Sequence, residues 1–393
     1  MDDAGGDEGR RSVEAALDRL VDELPGLTDV TVYLERRFDL GLAWVWFPVG
    51  RGGSGASADL QPWVEERLRV AGAPDMPAQN RLGFALVGPT LMDFATSDQL
   101  DRHLRPTFTG EEVWCQLFSE PGAGSDLAGL ATQARRDGDA WVVNGQKVWT
   151  TQGQHADRGM LLARTDPDVP KHAGITFFLL DMRAPGVLVK PLRQMTGDAE
   201  FCEVFFDDVM VPDSERLGEV GEGWRVTMTT LTHERMRTAD LLIEPERAPI
   251  DRLLEVWREV GGDAVARDAL VRLVIQDKVV GWTNERAAQD PREGPNGPAT
   301  SIAKLAYTEM NQRIYDLAID LLGPRGVLFD YADAEDGESI ERRYLRSRAN
   351  RIEGGSSEIM RNIIGERVLG LPPEPKADRG PWRDIPRSAE RTR

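Results

Sequence analysis

The sequence has little of the chemistry that is typical of metal centres and disulfide-rich proteins. It contains two cysteines and four histidines in 393 residues, and these residues are not spaced as metal ligands are. Cys115 and Cys202 lie in the apolar segments WCQLF and FCEVFF. This setting predicts buried, reduced thiols, because disulfides are rare in the cytosol. We therefore expect no metal centre.

Positive charge and long apolar runs are scarce as well. The chain has 66 acidic and 48 basic residues, a net charge of −18, and an acidic surface repels nucleic acid. No apolar run approaches the ~18–20 residues of a membrane span. The acidic start, MDDAGGDEGRR, resembles neither a secretory signal nor a transit peptide. These features predict a cytoplasmic protein that binds neither nucleic acid nor membranes.

The phosphate-loop motif and the serine-hydrolase motif GxSxG are absent from the sequence, which removes support for those two functions. The hydrophobic pattern predicts an α+β multidomain fold. Helical periodicity marks both ends of the chain, and short apolar strands lie between them, around a hairpin signal at Asn144-Gly145. The predicted parts are a helical N-terminal domain over 1–113, a middle β-barrel or β-sandwich domain over 114–222, a C-terminal helical bundle over 223–372 and a mobile tail over 373–393.

Two segments have the composition of a ligand site. Residues 118–126, FSEPGAGSD, combine glycines, a proline and hydroxyls in a turn whose backbone N–H groups can approach a phosphate. A plain connecting loop explains them equally well. Trp149-Thr150-Thr151 places an aromatic face beside two hydroxyls and suits a flat cofactor, but a tryptophan in a strand is more often core. From the residues alone, both alternatives stay open.

Four segments together resemble the ordered motifs of the acyl-CoA dehydrogenase family, and the resemblance covers roughly residues 12–372. It implies a bacterial flavoprotein in which an N-terminal helical domain, a β domain and a C-terminal helical bundle enclose FAD and an acyl-CoA thioester. The segments are LFSEPGAGSDLAG, NGQKVWTT, FFDDVMVP followed by GEGW, and EGGSSEIMRNIIGERVLGLP.

The same resemblance implies which residues contact FAD. In the first half of the chain they are Phe118 and Ser119 near the flavin ring, Gly124 and Ser125 near the pyrophosphate or the CoA arm, and Trp149 and Thr151 beside the isoalloxazine, Thr151 with a hydrogen bond near N5. In the second half they are Asp320 and Gly323, in the segment DLLGPRG that reaches the neighbouring subunit's FAD, and Ser356 and Glu358 at a C-terminal flavin contact. Ser125 is also a substrate contact.

The family reaction needs a carboxylate base that removes the α-proton of the thioester, and burial beside the acyl chain raises the pKa of such a base toward neutrality. Glu234, in LTHERMRTA, matches the base position of a family branch that has glycine at the other base position, here Gly354. Glu353 stands one residue earlier, a rotation of about 100° on a helix. We therefore predict Glu234 as the base, Glu353 as its competitor and Arg235 as a substrate contact. An exposed helix carboxylate is the alternative interpretation of Glu234.

One family feature has no counterpart in the sequence. Members usually carry an arginine followed three residues later by Phe-Gly, on a helix that reaches the partner subunit's FAD. Here the stretch reads NERAAQDPREGPNGPATSIAKL, and Arg286 or Arg292 is the candidate substitute. The GPATSIAKL part resembles actinobacterial members, some of which act on bulky or steroid side-chain thioesters and some of which assemble from two different subunits.

The resemblance thus implies a FAD-dependent acyl-CoA dehydrogenase that forms a trans-2-enoyl-CoA and passes electrons to an electron-transfer flavoprotein. It also implies a homo-oligomer, or a hetero-oligomer with a related subunit. Two alternatives stay open. One is a subunit of a heteromeric dehydrogenase without catalysis of its own. The other is an oxygen-using flavoenzyme of the same fold, an oxidase or a monooxygenase, although a monooxygenase removes no α-proton and has no use for Glu234.

Overall fold

The structure is a computed structural model that describes residues 3–77, 80–241, 248–289, 298–329, 339–373 and 378–385, and within these ranges it leaves out the side chains of 3–7, 234–241, 287–289 and 298–300. The chain divides into two units. The first comprises Met1–Pro191, Phe201–His233 and Gly380–Arg393, and the second comprises Leu192–Glu200 and Glu234–Arg379.

The first unit begins with helices that polar side chains cap. Asp29 accepts hydrogen bonds from the backbone N–H groups of Thr31 and Val32 at 2.8 and 3.1 Å, and Thr96 and Gln99 form a reciprocal capping box. Such caps satisfy N–H groups that have no partner within the helix. The helices are α1 (Asp3–Glu23), α2 (Val30–Asp39), α3 (Gln61–Val70), α4 (Gly88–Phe94) and α5 (Ser97–Thr109).

An aromatic cluster is the core of these helices. The fully buried Trp44 stacks on Phe47 and Phe84, with ring centroids 4.8 and 5.8 Å apart, and meets Phe108 edge-on at 5.1 Å. Its indole N–H donates to the Phe84 carbonyl at 3.0 Å, so burying the ring leaves no unpaired donor. A Cβ at Gly88 would lie 2.3 Å from the Trp44 ring, so only glycine lets α4 approach this closely.

An eight-stranded mixed sheet follows in the first unit. Its order is β6-β7-β3-β2-β4-β5-β8, and β1 pairs with β4 in parallel. The strands are β1 (Trp114–Leu117), β2 (Gln133–Asp137), β3 (Ala140–Thr151), β4 (Arg158–Arg164), β5 (Ile175–Asp181), β6 (Val187–Leu192), β7 (Phe201–Pro212) and β8 (Arg216–Leu217). Cys115 on β1 and Cys202 on β7 are both free and buried, as predicted.

The predicted hairpin at Asn144-Gly145 is wrong. Both residues lie inside the continuous strand β3, at a register shift in its pairing with β7. The Asn144 amide bonds across the sheet to Asp208, whose backbone N–H and carboxylate lie 3.0 and 2.9 Å from it. A bulge therefore uses the Asn-Gly pair that a tight turn also favours. The turn between β2 and β3 is made by Gly138, at φ +59°, and Asp139.

The remaining helices carry the C-terminal part of the chain. In the second unit, Leu253, Ile314 and Ala318 are fully buried and hold α7 against α9. The helices are α6 (Gly223–Leu241), which begins in the first unit, α7 (Pro249–Val260), α8 (Ala264–Gln289), α9 (Pro298–Leu322), α10 (Ile340–Asn350) and α11 (Ser357–Ile363). Among the described helices, none is long and apolar enough to cross a bilayer. The predicted α+β fold class is confirmed, and the three-domain division stays a prediction.

Part of the segment predicted as a mobile tail is packed. Residues 381–385 belong to the first unit, where Trp382 is only 8% exposed and its backbone N–H donates to the Val169 carbonyl at 2.9 Å. One large aromatic ring buries enough apolar surface to hold a short segment that lacks periodicity, and the mobility of the tail stays a prediction.

A buried histidine joins the helices of the first unit to the sheet. His103, 1% exposed on α5, has Nδ1 2.9 Å from Glu112 and Nε2 3.3 Å from Glu215. Arg158 and Arg102 in turn pair with these two carboxylates. Burial disfavours the charged imidazole, but the two carboxylates outweigh burial and raise the pKa of His103.

We expect His103→Gln to lower stability by about 1–3 kcal/mol, because it removes the charge that bridges Glu112 and Glu215 and leaves each carboxylate with its arginine alone. A raised folded-state pKa contributes stability that is complete below the ordinary value of 6.5 and is lost as pH rises through the folded value. Melting temperatures from about pH 6 to about pH 9 should therefore show the largest gap between wild type and variant at the acidic end. The exposed His155→Gln is the control. A gap that grows with pH would contradict the assignment.

Candidate functional site

A buried ion pair joins the two segments that carry the predicted flavin contacts of the first unit. Lys147 on β3 is fully buried, and its Nζ lies 2.8 Å from a Glu120 carboxylate oxygen and 3.0 Å from the Phe118 carbonyl. The Glu120 carboxylate also accepts from the backbone N–H groups of Ala131 and Thr132 at 2.6 and 2.9 Å. The pair therefore fastens the start of the glycine-rich segment both to the sheet and to the residues that follow it.

Burial acts on both groups of this pair. Burial raises the pKa of Glu120, but Lys147 and the N–H donors outweigh it, so the net pKa is lowered and the carboxylate is held in its charged form. For Lys147 burial outweighs the attraction of Glu120, so the net pKa of the ammonium is lowered. Sequence reasoning missed this pair. A lysine within the apolar run of β3 was the available signal, since lysine is rarely buried unless it is paired.

Residues 121–126, here called the glycine loop, present backbone donors to solvent. Glu120 and Ala123 exchange backbone hydrogen bonds at 2.9 and 3.0 Å, which closes a tight turn at the start of the loop. Gly124 and Ser125 are exposed, and a Cβ at Gly124 would meet nothing within 4 Å. Within the described ranges, the N–H groups of these two residues have no protein acceptor. They are therefore available to an anionic ligand.

Trp149 is not a core residue. It lies in a bulge of β3 with φ +60°, in the left-handed region, and 60% of the residue is exposed. Its ring meets Phe201 edge-on at 5.9 Å, and Thr151, half-buried, pairs with Phe201 across the sheet. A left-handed backbone costs an aromatic residue ~1–3 kcal/mol. Such strain, together with an exposed indole, is typical of a ligand-binding position rather than of a core position.

Phe118 and Ser119 connect this bulge to the glycine loop. Phe118 is 5% exposed and packs edge-on against Phe177 with centroids 5.9 Å apart. The Ser119 carbonyl accepts from the backbone N–H of Val148, the residue before Trp149, at 2.9 Å. The structure therefore brings together the six predicted flavin contacts of the first unit on the connected segments 118–125 and 147–151.

Glu353, the competitor for the role of base, is already engaged. Its two carboxylate oxygens accept from the Arg346 guanidinium at 2.9 and 3.0 Å, and one also accepts from the Asn350 amide at 2.8 Å. Lys304 holds the same turn by donating to the Asn350 and Gly355 carbonyls at 2.9 and 2.7 Å. Glu353 would have to leave this bidentate ion pair in order to contact a substrate.

The other predicted flavin contacts of the second unit lie at helix ends. The Ser356 hydroxyl caps α11 by accepting from the Ile359 N–H at 3.3 Å. Glu358 follows in the first turn, where its own backbone N–H and the Ser356 hydroxyl lower its pKa. At the end of α9, Asp320 is exposed, and Gly323 has φ +55° with open space around its Cα.

Two of the predicted substrate residues are described only in part. Glu234 and Arg235 lie on α6, and their side chains fall outside the described residues. His233, the residue before Glu234, has its Nε2 2.8 Å from the Asp93 carboxylate, which attaches this turn of α6 to α4. Arg286 is exposed on α8, and Arg292 lies outside the described residues. Among the described residues, no cluster of His, Cys, Asp or Glu could hold a metal ion.

We expect Lys147→Met to destabilise the first unit by about 3–5 kcal/mol, because it leaves the Glu120 charge buried without its cation. Thermal unfolding followed by tryptophan fluorescence measures the effect. The double variant Lys147→Met/Glu120→Gln removes both charges and should recover most of the lost stability. A single variant as stable as wild type would contradict the structural role of the pair.

Comparisons with protein families place this arrangement among known enzymes. The family model described as the acyl-CoA dehydrogenase middle domain matches residues 115–209, and the one described as the acyl-CoA dehydrogenase C-terminal domain matches residues 221–369. The two matched ranges contain the ion pair, the glycine loop, the Trp149 bulge and Glu234.

Individual proteins agree with the family models. The chain is 41% identical over 346 residues to acyl-CoA dehydrogenase IpdE1 of Mycobacterium tuberculosis, covering 86% of each chain. The crystal structure of the ChsE4-ChsE5 complex from the same organism is similar with a TM-score of 0.70 at 30% identity, over 94% of this chain and 98% of the other. A structure titled Tcur3481-Tcur3483 steroid ACAD has a TM-score of 0.69 at 25% identity, over 93% and 98%. This chain therefore belongs to the acyl-CoA dehydrogenase family of oxidoreductases.

Proposed function

We propose that the chain is a FAD-dependent dehydrogenase that converts an acyl-CoA thioester to the trans-2-enoyl-CoA. The observation that supports this most directly is the exposed, left-handed Trp149 beside a glycine loop with free N–H groups, both fastened by the Lys147–Glu120 pair. An indole face suits a flat ring system, and free N–H groups suit a pyrophosphate. The side chains and backbone groups present therefore fit FAD.

Each proposed cofactor contact has a distinct task. FAD, when bound, supplies a two-electron acceptor for the β-hydrogen of the thioester. The proposed contacts are Phe118, Ser119, Trp149 and Thr151 for the flavin ring, Gly124 and Ser125 for the pyrophosphate or the CoA arm, and Asp320, Gly323, Ser356 and Glu358 for contacts from the C-terminal helices. Phe118 excludes water by its burial, and the Thr151 hydroxyl donates or accepts one hydrogen bond.

Glu234 is the proposed base. It takes the α-proton of the thioester onto a carboxylate oxygen, and Arg235 and Ser125 are proposed to contact the substrate. The engagement of Glu353 by Arg346 and Asn350 supports this choice, since a carboxylate held by a guanidinium gives up an ion pair when it is protonated. The Asp93–His233 pair supports it as well, because it limits the movement of α6 next to the base.

The proposal also includes a substrate class, an electron acceptor, a location and a domain division. A solved relative is titled a steroid ACAD, so steroid-derived as well as fatty acyl-CoA thioesters are the proposed substrates. An electron-transfer flavoprotein is the proposed electron acceptor, and the cytoplasm the proposed location. We also propose the three-domain division at residues 1–113, 114–222 and 223–372.

The heteromeric alternative has specific support. Two solved relatives are titled as pairs of proteins. In addition, α8 exposes an apolar stripe at helical spacing, with Val271, Ile275, Val279 and Trp282 at 46, 58, 49 and 63% exposure. Large exposed apolar surfaces are rare on monomers. We propose that this α8 stripe contacts another subunit, either a copy of this chain or a related one.

The purified chain should be yellow, and its flavin absorption should bleach when the correct acyl-CoA is added without oxygen. Glu234→Gln should retain the flavin spectrum and bleach at least ~10³-fold more slowly, because it lacks the proton acceptor. Stopped-flow absorbance with a panel of fatty and steroid-derived thioesters measures both rates and identifies the substrate class.

Glu353→Gln is the matched control for this experiment and should keep most of the bleaching rate. If Glu353→Gln is inactive and Glu234→Gln is active, then Glu353 is the base and Glu234 is not. Rapid release of peroxide in air would identify the oxygen-using alternative. A colourless wild-type chain that gains flavin only with a second subunit would identify the heteromeric one.

Trp282→Glu should shift the protein to a smaller species, because it places a charge within the apolar α8 stripe. Light scattering coupled to size exclusion measures the mass. Trp282→Phe keeps an apolar aromatic at the same place and should leave the mass unchanged. Equal masses for wild type and Trp282→Glu would show that this stripe is not a subunit contact.

A further inference from the structure

The C-terminal segment of the first unit packs against residues 128–130, which follow the glycine loop. Trp382 lies in this segment, beyond both ranges that the family models match. Its indole N–H donates to the Gly129 carbonyl at 3.3 Å, and its backbone N–H donates to the Val169 carbonyl at 2.9 Å. The indole and the backbone of Trp382 therefore each contact a chain segment that is distant from it in sequence.

A buried arginine lies between Trp382 and the loop. The Arg164 guanidinium is 4.3 Å from the centre of the Trp382 ring, and the residue is 2% exposed. It donates to three backbone carbonyls, those of Ala128, Leu130 and Lys171, at 2.7, 3.1 and 3.0 Å. A desolvated cation on an indole face is attracted by the electron-rich face of the ring. The Trp382 ring therefore stabilises the Arg164 guanidinium, which holds residues 128–130 in place.

Residues 128–130 are hydrogen-bonded to Asp126, the last residue of the glycine loop. The Gly129 N–H donates to the Asp126 carbonyl at 2.9 Å, and the Asp126 carboxylate accepts from Lys171 Nζ at 2.7 Å. Asp126 follows Ser125 directly. The loop is thus held at its start by the Lys147–Glu120 pair and at its last residue by the Gly129 N–H and Lys171, while Arg164 and Trp382 hold residues 128–130, which follow it.

The C-terminal segment has its own attachment away from the loop. The Arg383 backbone N–H donates to the Pro167 carbonyl at 3.0 Å, its guanidinium pairs with Asp168, and Pro381 forms a β-bridge with Pro170. All of these partners belong to the connection between β4 and β5. These contacts seat the segment on the β4–β5 connection, and the Trp382 indole reaches from it to Gly129.

We propose that residues 381–384 act as a clasp, with Trp382 and Arg164 as positioning residues that keep the Gly124 and Ser125 N–H groups oriented for a pyrophosphate. The inference rests on the proposed function, in which that pyrophosphate belongs to FAD or to CoA. A donor pair that is already ordered loses less conformational entropy on binding, so loosening the clasp weakens binding without removing a contact to the ligand.

The test uses the full chain and two variants, Trp382→Ala and Trp382→Leu. The leucine variant retains apolar volume over Arg164 and so keeps the test informative where the alanine variant does not fold. Three quantities are measured: the Kd for FAD with flavin-depleted protein, the Kd for CoA with the holoenzyme, and the melting temperature. We expect a folded variant to bind FAD or CoA at least tenfold more weakly. Weaker FAD binding assigns the loop to the cofactor, and weaker CoA binding assigns it to the thioester.

Two further variants and the kinetics distinguish positioning from general stability. Trp382→Phe keeps a ring over Arg164 and should bind within about threefold of wild type. Arg383→Gln removes the ion pair with Asp168 but leaves the ring in place, and should bind as wild type does. If the loop holds CoA, KM should rise while kcat changes little. If the folded Trp382→Ala and Trp382→Leu variants bind both ligands with wild-type Kd values, the clasp is wrong and the proposed function stands. A wild-type chain that binds neither ligand overturns the proposed function and the clasp with it.

Discussion

The buried ion pair between Lys147 and Glu120 is the interaction on which the proposed site depends. Removing two charges from water costs several kcal/mol per ion, and the pair offsets that cost only because every group around it is used. The ammonium also bonds the Phe118 carbonyl, and the carboxylate also accepts from Ala131 and Thr132. One interaction thus anchors β3, the start of the glycine loop and the chain that leaves it.

A strained backbone and an exposed aromatic side chain lie next to the Lys147–Glu120 pair. Trp149 takes a left-handed backbone conformation and leaves most of its indole in solvent, two residues beyond the fully buried Lys147. Such an arrangement persists only where surrounding contacts determine it, which here are the bulge pairing with β7 and the hydrogen bond from Val148 to Ser119. Surrounding contacts also fix Glu353, whose carboxylate is held by the Arg346 guanidinium and the Asn350 amide.

Sequence reasoning succeeded where the signal was long and failed where one short motif has two structural uses. Helical periodicity and the family motifs predicted the α+β class, and the glycine loop was recognised as a candidate site. Asn144-Gly145 was misread as a turn because the αL-tolerant pair suits a bulge as well as a hairpin. From the residues alone, Trp149 stayed open between a core position and a cofactor contact, since its exposure depends on the bulge. The position of Trp382 had no sequence signal, because its partners lie more than 200 residues away.

The amino-acid sequence by itself determined the composition of the site: an acidic chain, four ordered motifs, and a glutamate at position 234 with glycine at position 354. Local periodicity and motif spacing carry that information because they depend on neighbours along the chain. Only the tertiary structure decided that Lys147 pairs with Glu120, that Arg346 engages Glu353, and that Arg164 meets Trp382. These contacts form between residues from separate elements, and their energies come from burial and hydrogen-bond geometry that a linear pattern does not contain.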